Sequence, residues 1–158
     1  MAIQKKWLMI GVGVWGLLSI VSSFGHSNPP ITQKVNWDSP KTEALFNRVC
    51  ADCHSHQTNW PWYSYVAPVS FVINHHVNEG REHFNISAGV LDEAHEAAEE
   101  YEEGEMPEGG YLNFHPEANL SPEEKAQLIA GLKATFGDGH GHGHGDDHDH
   151  DHGDGHQH

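Results

Sequence analysis

Ser39-Pro40-Lys41-Thr42-Glu43-Ala44-Leu45-Phe46-Asn47-Arg48-Val49-Cys50-Ala51-Asp52-Cys53-His54 begins with a helix start and ends on two thiols and an imidazole. Ser39 is placed to cap the first turn, and Pro40, which lacks an amide hydrogen, suits the first helical position. Leu45, Phe46, Val49, Cys50 and Cys53 recur at helical spacing. This predicts a helix with both cysteines on its buried face or in its last turn. Downstream, residues 58–68 hold two prolines and four large aromatics and are expected to form an irregular loop. Pro68 can open a second helix with Val69, Val72, Ile73 and Val77 on its apolar face, ending near Gly80. A third is expected after Ser87, with Leu91, Ala94, Ala98 and Tyr101 on one side and Gly104 as its stop. The fourth starts at Ser121-Pro122-Glu123-Glu124, a capping box with proline at the first position. Leu128, Ile129, Leu132 and Phe136 form its stripe, and Gly137 terminates it. No stretch alternates with period two, so the fold class is all-α, with about four helices and long connecting loops.

This domain is bounded at residues 39–136, and residues 26–38, with Pro29-Pro30, form a linker before it. In residues 1–25, Lys5 and Lys6 precede an uncharged run from Trp7 to Phe24. As a helix the run reaches about 27 Å, close to the thickness of bilayer hydrocarbon. Lysines on its N-terminal side keep that end in the cytoplasm and send the rest across. We expect a retained single-pass anchor holding the domain on the periplasmic side of the cytoplasmic membrane. A signal peptide cut near Gly25, giving a soluble periplasmic protein, is the alternative, but the run is longer than a usual signal core and no A-x-A site follows.

Residues 137–158 are eight histidines, six aspartates, seven glycines and one glutamine. With no apolar side chain to offset the entropy of ordering, this tail is expected to be disordered. Imidazoles of His140, His142, His144, His148, His150 and His152 among aspartates suit weak, multi-site binding of zinc, nickel or copper(II). A merely solubilising tail is the plainer reading. Between the two ends, residues 26–136 carry six basic side chains against seventeen acidic ones, a net charge of −11, which argues against nucleic acid as a partner. From Asp92 to Glu108 there are nine acidic residues and no basic one. Such a run is ordinarily a solvated face, and it can also present a negative rim for docking a basic redox partner.

Only two cysteines exist, three positions apart, so no disulfide framework is available and their use must be chemical. Cys50-Ala51-Asp52-Cys53-His54 is C-x-x-C-H, the attachment sequence of a c-type haem. One helical turn between the thiols lets both reach the two vinyl groups of one porphyrin, and His54 is then carried beneath the iron. A structural zinc site would want a second cysteine pair or two spaced histidines, and a thioredoxin-like pair would want a strand before a helix. Met1 and Met9 lie in the export segment, so Met106 is the one thioether available to the domain as a sixth ligand. A gap-filling core methionine is the plainer reading of Met106, and His75, His76 and His115 are the alternative ligands. The aromatic cluster Trp60, Trp62, Tyr63 and Tyr65 suits a domain that wraps a large flat apolar group, with Trp60, Trp62 and Tyr65 as candidate contacts.

Residues 50–55 (Cys-Ala-Asp-Cys-His-Ser), 59–70 (Asn-Trp-Pro-Trp-Tyr-Ser-Tyr-Val-Ala-Pro-Val-Ser), Asn78-Glu79-Gly80-Arg81, Glu105-Met106-Pro107 and 120–124 (Leu-Ser-Pro-Glu-Glu) carry a family resemblance. Across about residues 35–136 the chain resembles the small haem-binding domain family of bacterial membrane-anchored c-type cytochromes. The resemblance implies a cytochrome c-like helical domain around one covalently bound haem c, held by Cys50, Cys53 and His54, with Met106 at the distal position. The function expected is single-electron transfer outside the cytoplasmic membrane, with a redox protein as partner and no enzyme activity. A gas sensor or peroxidase-like enzyme would need a labile sixth position. A metal-handling protein would use the histidine tail.

Overall fold

The computed structural model describes residues 2–137, with side chains from Gln4 onward. The tail histidines assigned to metal binding lie outside the described residues, as does the expectation of disorder there. Among the described residues all regular structure is helical: α1 (Ala2–Ser23), α2 (Pro40–Val49), α3 (Ala51–His54), α4 (Val69–His83), α5 (Ala97–Glu103), α6 (Tyr111–Phe114) and α7 (Pro122–Phe136). The four expected domain helices correspond to α2, α4, α5 and α7. Two single turns, α3 and α6, and short 3-10 segments fill the connections.

The helix starts follow their local chemistry. Ser39 Oγ accepts from Thr42 N, and at α7 Ser121 and Glu124 exchange both capping-box hydrogen bonds. Gly104 ends α5 in the left-handed region at φ 83°. The third helix begins later than expected, at the 3-10 turn Ala94–Glu96, because the Asn85 side chain accepts from Ser87 N and folds residues 85–90 into a turn closed by Asn85 N to Val90 O. Leu91 is left exposed, whereas Ala94 and Ala98 are buried as expected.

The core joins Leu45, Phe46 and Val49 of α2, Phe84, Ala94, Ala98, Leu120, and Leu128 and Leu132 of α7. Gly131 lets α7 lie directly on Thr42 of α2. The expected linker, residues 26–38, is extended but tied to the domain: Thr32 N and Gln33 N donate to Ser87 O, and Asn28 Nδ2 donates to Thr58 O.

The apolar face expected for α4 is corrected. Val77 is buried, but Val69 and Val72 are exposed, and the residues turned inward are Ser70 and Gly80. Small side chains face inward because two neighbours approach closely, α3 at Gly80 and α1 at Ser70. By length and composition α1 can cross a membrane over Gln4–Ser23. Its far half docks on the domain: Trp15 Nε1 donates to Ala67 O at 2.8 Å, Ser19 Oγ accepts from Ala67 N at 3.1 Å, and Ser22 Oγ donates to Ser70 Oγ at 2.7 Å.

Candidate functional site

α2 stops at Val49, and the chain passes through Cys50 into the α3 turn, where Cys53 N and His54 N both donate to Cys50 O at 3.2 and 2.9 Å. Cys50 and Cys53 are unpaired thiols one helical turn apart. Burial pushes both up to about 12, from an ordinary 9.0. The mutual repulsion of the two thiols adds to this at Cys50, and Asp52 and Glu108 add to it at Cys53 against the opposing Arg81.

His54 is 7% exposed and lies flat on Phe84, ring centroids 3.9 Å apart and planes 9° from parallel. Its Nδ1 is 3.2 Å from Phe84 O. Burial lowers its pKa, against the opposing carbonyls of Phe84 and Gly80. A carbonyl oxygen only accepts, so a neutral ring in this place carries its proton on Nδ1 and its lone pair on Nε2. That tautomer is the one a metal-ligating histidine needs, oriented by a carbonyl on its other nitrogen.

The turn is held from several directions. Arg81 donates from Nε to Ser55 O at 2.9 Å and from Nη2 to Thr58 Oγ1 at 2.9 Å. Ile86 N donates to His54 O at 3.0 Å. Asp52 Oδ1 accepts from Asn59 N and Oδ2 from the Tyr111 hydroxyl, both at 2.8 Å. Burial and the Asp52 carboxylate raise the Tyr111 pKa. Gly80 of α4 completes the support, since a Cβ there would lie 3.0 Å from Cys53 Cβ and 3.1 Å from its carbonyl oxygen.

Met106 follows the end of α5 and is half-buried. Its backbone N donates to Glu100 O just beyond the end of α5. The residues on either side of it sense the cysteines: the Tyr101 phenol interacts with the Cys50 thiol and the Glu108 carboxylate with Cys53. A cavity of about 120 Å³ is lined by Tyr101, Met106, Pro107, Leu112 and Leu120. It is smaller than a porphyrin, and Cys50, Cys53 and His54 do not line it. Two thiols one turn apart beside an imidazole with a free lone pair form a donor set that fits a haem.

Trp60 packs on His26 at 4.2 Å, Tyr65 meets the same ring edge-on at 4.4 Å, and Trp62 is 78% exposed. The 3-10 turn Trp62–Tyr65 packs on α1 and α4. The alternative histidine ligands are engaged as well: His75 pairs with Glu79, His76 with Glu108 at 2.8 Å, and His115 stacks on Tyr111. Among the described residues no group of three or more His, Cys, Asp or Glu side chains is arranged to hold a metal ion. Tyr101, Tyr111, Phe84 and the Asp52 carboxylate were not legible as site residues. Only Gly109-Gly110 ahead of Tyr111, with Gly110 left-handed at φ 97°, gave a local sign that the chain turns back toward the motif there.

No curated protein and no solved structure matches the chain. A family model described as the haem-binding domain matches residues 14–134, taking in the far half of α1 together with the domain. The match spans most of the sequence and contains the cysteine turn, His54 and Met106, and the chain belongs to the haem-binding domain family.

Proposed function

We propose that this is a monohaem c-type cytochrome that relays single electrons outside the cytoplasmic membrane. The observation that carries this reading is the buried His54 ring, its Nδ1 held 3.2 Å from Phe84 O, at the end of the turn bearing Cys50 and Cys53. In it, Cys50 and Cys53 would hold the porphyrin as thioethers, and His54 Nε2 and the Met106 thioether would be the groups offered to the iron. The bound group provides a one-electron ferric–ferrous couple, whose potential a Met/His pair sets higher than a His/His pair would.

The chain's own residues do the rest. Phe84, Gly80, Arg81 and Asp52 fix the imidazole and the cysteine turn, which limits rearrangement between oxidation states. Tyr101, Leu112 and Leu120 keep water from the Met106 side. Glu99, Glu103 and Glu105 are exposed beside that loop, whereas Glu102 is paired with Lys133, Glu93 with His83 and Glu108 with His76. This acidic surface favours a basic redox partner. α1, with Lys5 and Lys6 at its start, serves as a retained anchor.

A pyridine haemochrome spectrum of the membrane fraction tests the reading. The thioether-type spectrum is expected, with pigment retained by the protein in acidified acetone; pigment released into the acetone would sink it. Met106→Ala should abolish the weak near-infrared band of methionine-bound ferric haem and admit carbon monoxide rapidly at neutral pH.

A further inference from the structure

Along α4 the chain changes character at one residue. Val69, Phe71 and Val72 are 44%, 46% and 53% exposed, and Ser70 between them is buried against Ser22 of α1. The first turn of α4 is therefore apolar on every side that α1 does not cover. From Asn74 onward the exposed positions are polar, including His75, Asn78, Glu79 and Glu82. Asn74 marks the matching level on α1, because its Nδ2 donates to Ser22 O at 2.7 Å and Gly25 packs against its amide.

The two helices run side by side in the same direction, since Ala67 meets Trp15 and Ser19 while Asn74 meets Ser22. Ala67 bonds to Ser19 and Trp15, three and seven residues before Ser22, so it lies about 5–10 Å below the Ser22–Asn74 level along the α1 axis. At that depth several backbone groups are paired within the protein. Both polar atoms of Ala67 bond to α1 side chains, Ser64 N and Val66 N close the 3-10 turn, and Ser70 N bonds Val66 O. A lipid environment demands such pairing. Trp62, 78% exposed, and Tyr65, 44% exposed, stand beside these groups, as aromatic side chains do at a membrane–water interface. The family match begins at residue 14 and so takes in Trp15, Ser19 and Ser22.

We propose that the face made by Trp62, Tyr65, Val69, Phe71 and Val72 beside α1 is seated in the lipid bilayer. The haem domain is then partly sunk into the leaflet it faces, rather than suspended on a stalk. This inference rests on α1 being retained as the anchor. The test places photoreactive benzoylphenylalanine singly in the full-length holoprotein in phosphatidylethanolamine–phosphatidylglycerol vesicles, as Val72→benzoylphenylalanine, Val14→benzoylphenylalanine and Glu79→benzoylphenylalanine. Val14 and Val72 are equally open, at 52% and 53%. Glu79 lies two turns further along α4. The expected result is a mass shift of one phospholipid at positions 14 and 72 and none at 79. Lipid at 14 without lipid at 72, or a protein adduct at 72, overturns the proposal and leaves the anchor standing. Absence of lipid at 14 overturns both.

Discussion

Gly80→Ala sets two effects of similar size against each other, and the structure decides which prevails. In an open helix interior the change would stabilise α4 by about 0.5–1 kcal/mol through lost chain entropy. Here the new methyl group would sit 3.0 Å from Cys53 Cβ, 3.1 Å from Cys53 O and 3.3 Å from Cys53 C. These atoms belong to a turn pinned by Arg81 to Ser55 O, Ile86 N to His54 O, and Tyr111 to Asp52. A thioether at Cys53 would hold it more tightly still. Over-packing against an unyielding neighbour costs about 1–3 kcal/mol. The net expectation is a loss of about 1 kcal/mol, read as a fall in Tm of roughly 4–8 °C for a domain of this size. Because the Gly80 carbonyl also faces His54, a shift in the haem reduction potential should accompany the loss. Thermal melts followed by circular dichroism, and a potentiometric titration of the purified holoprotein, measure both. A Tm equal to or above the parent's, with the potential unchanged, would refute the claim that α4 bears directly on the cysteine turn.

Two further expectations follow from burial. Gly131→Ala would drive a methyl group into Thr42 Oγ1 and to 2.8 Å from Thr42 Cβ, on a side chain held by Ser39. A net loss of about 2 kcal/mol in chemical denaturation is expected at this α2–α7 contact, and a neutral result would mean that the two helices part readily. In the reduced chain without haem, thiols moved from 9.0 to about 12 carry roughly 1,000-fold less thiolate at pH 8, so alkylation of Cys50 and Cys53 should be slower than in urea by about that factor. These groups contribute fully to stability below pH 9, and the contribution is lost as the pH rises toward 12, where only the unfolded chain ionises. Equal alkylation rates with and without urea would show that the thiols are not buried before the haem is attached.

What could be read from sequence was what short-range chemistry writes into it. Ser39-Pro40 and Ser121-Pro122-Glu123-Glu124 mark helix starts because a cap and its donors lie within one turn, and both caps form. Gly104 stops α5 for the same local reason. The apolar pattern of α4 is right at Val77 but fails at Val69 and Val72, because periodicity ranks positions by apolarity, whereas Ser70 and Gly80 are buried for being small. Only the arrival of α1 and the cysteine turn, 48 and 27 residues away in sequence, makes smallness valuable. The contact of Tyr111 with Asp52 is likewise a long-range pairing, across 59 residues, with no periodic trace. Trp60 and Tyr65 were grouped with the cofactor for their flat apolar rings, and in the structure those rings pack on His26 at the end of α1.

α4 is the element that joins these observations. At Ser70 and Asn74 it is bonded to α1, and three turns later Gly80 lies against Cys53. Its last turn then delivers Arg81 to Ser55 O and leads into Phe84, whose carbonyl fixes the tautomer of His54. A helix advances about 1.5 Å per residue, so the distance from the Ser22 contact to Gly80 is only about 15 Å. If α1 is fixed in a bilayer, these contacts along α4 tie the cysteine turn and His54 to it. The orientation of the haem relative to the membrane is then set by packing rather than by a tether. Oriented membrane multilayers should accordingly show a dichroic Soret band in the parent protein, weakened in Ser70→Leu, where the larger side chain forces α1 away. An isotropic Soret band in the parent would mean that the domain swings freely and that the α1–α4 hydrogen bonds do not persist in the membrane.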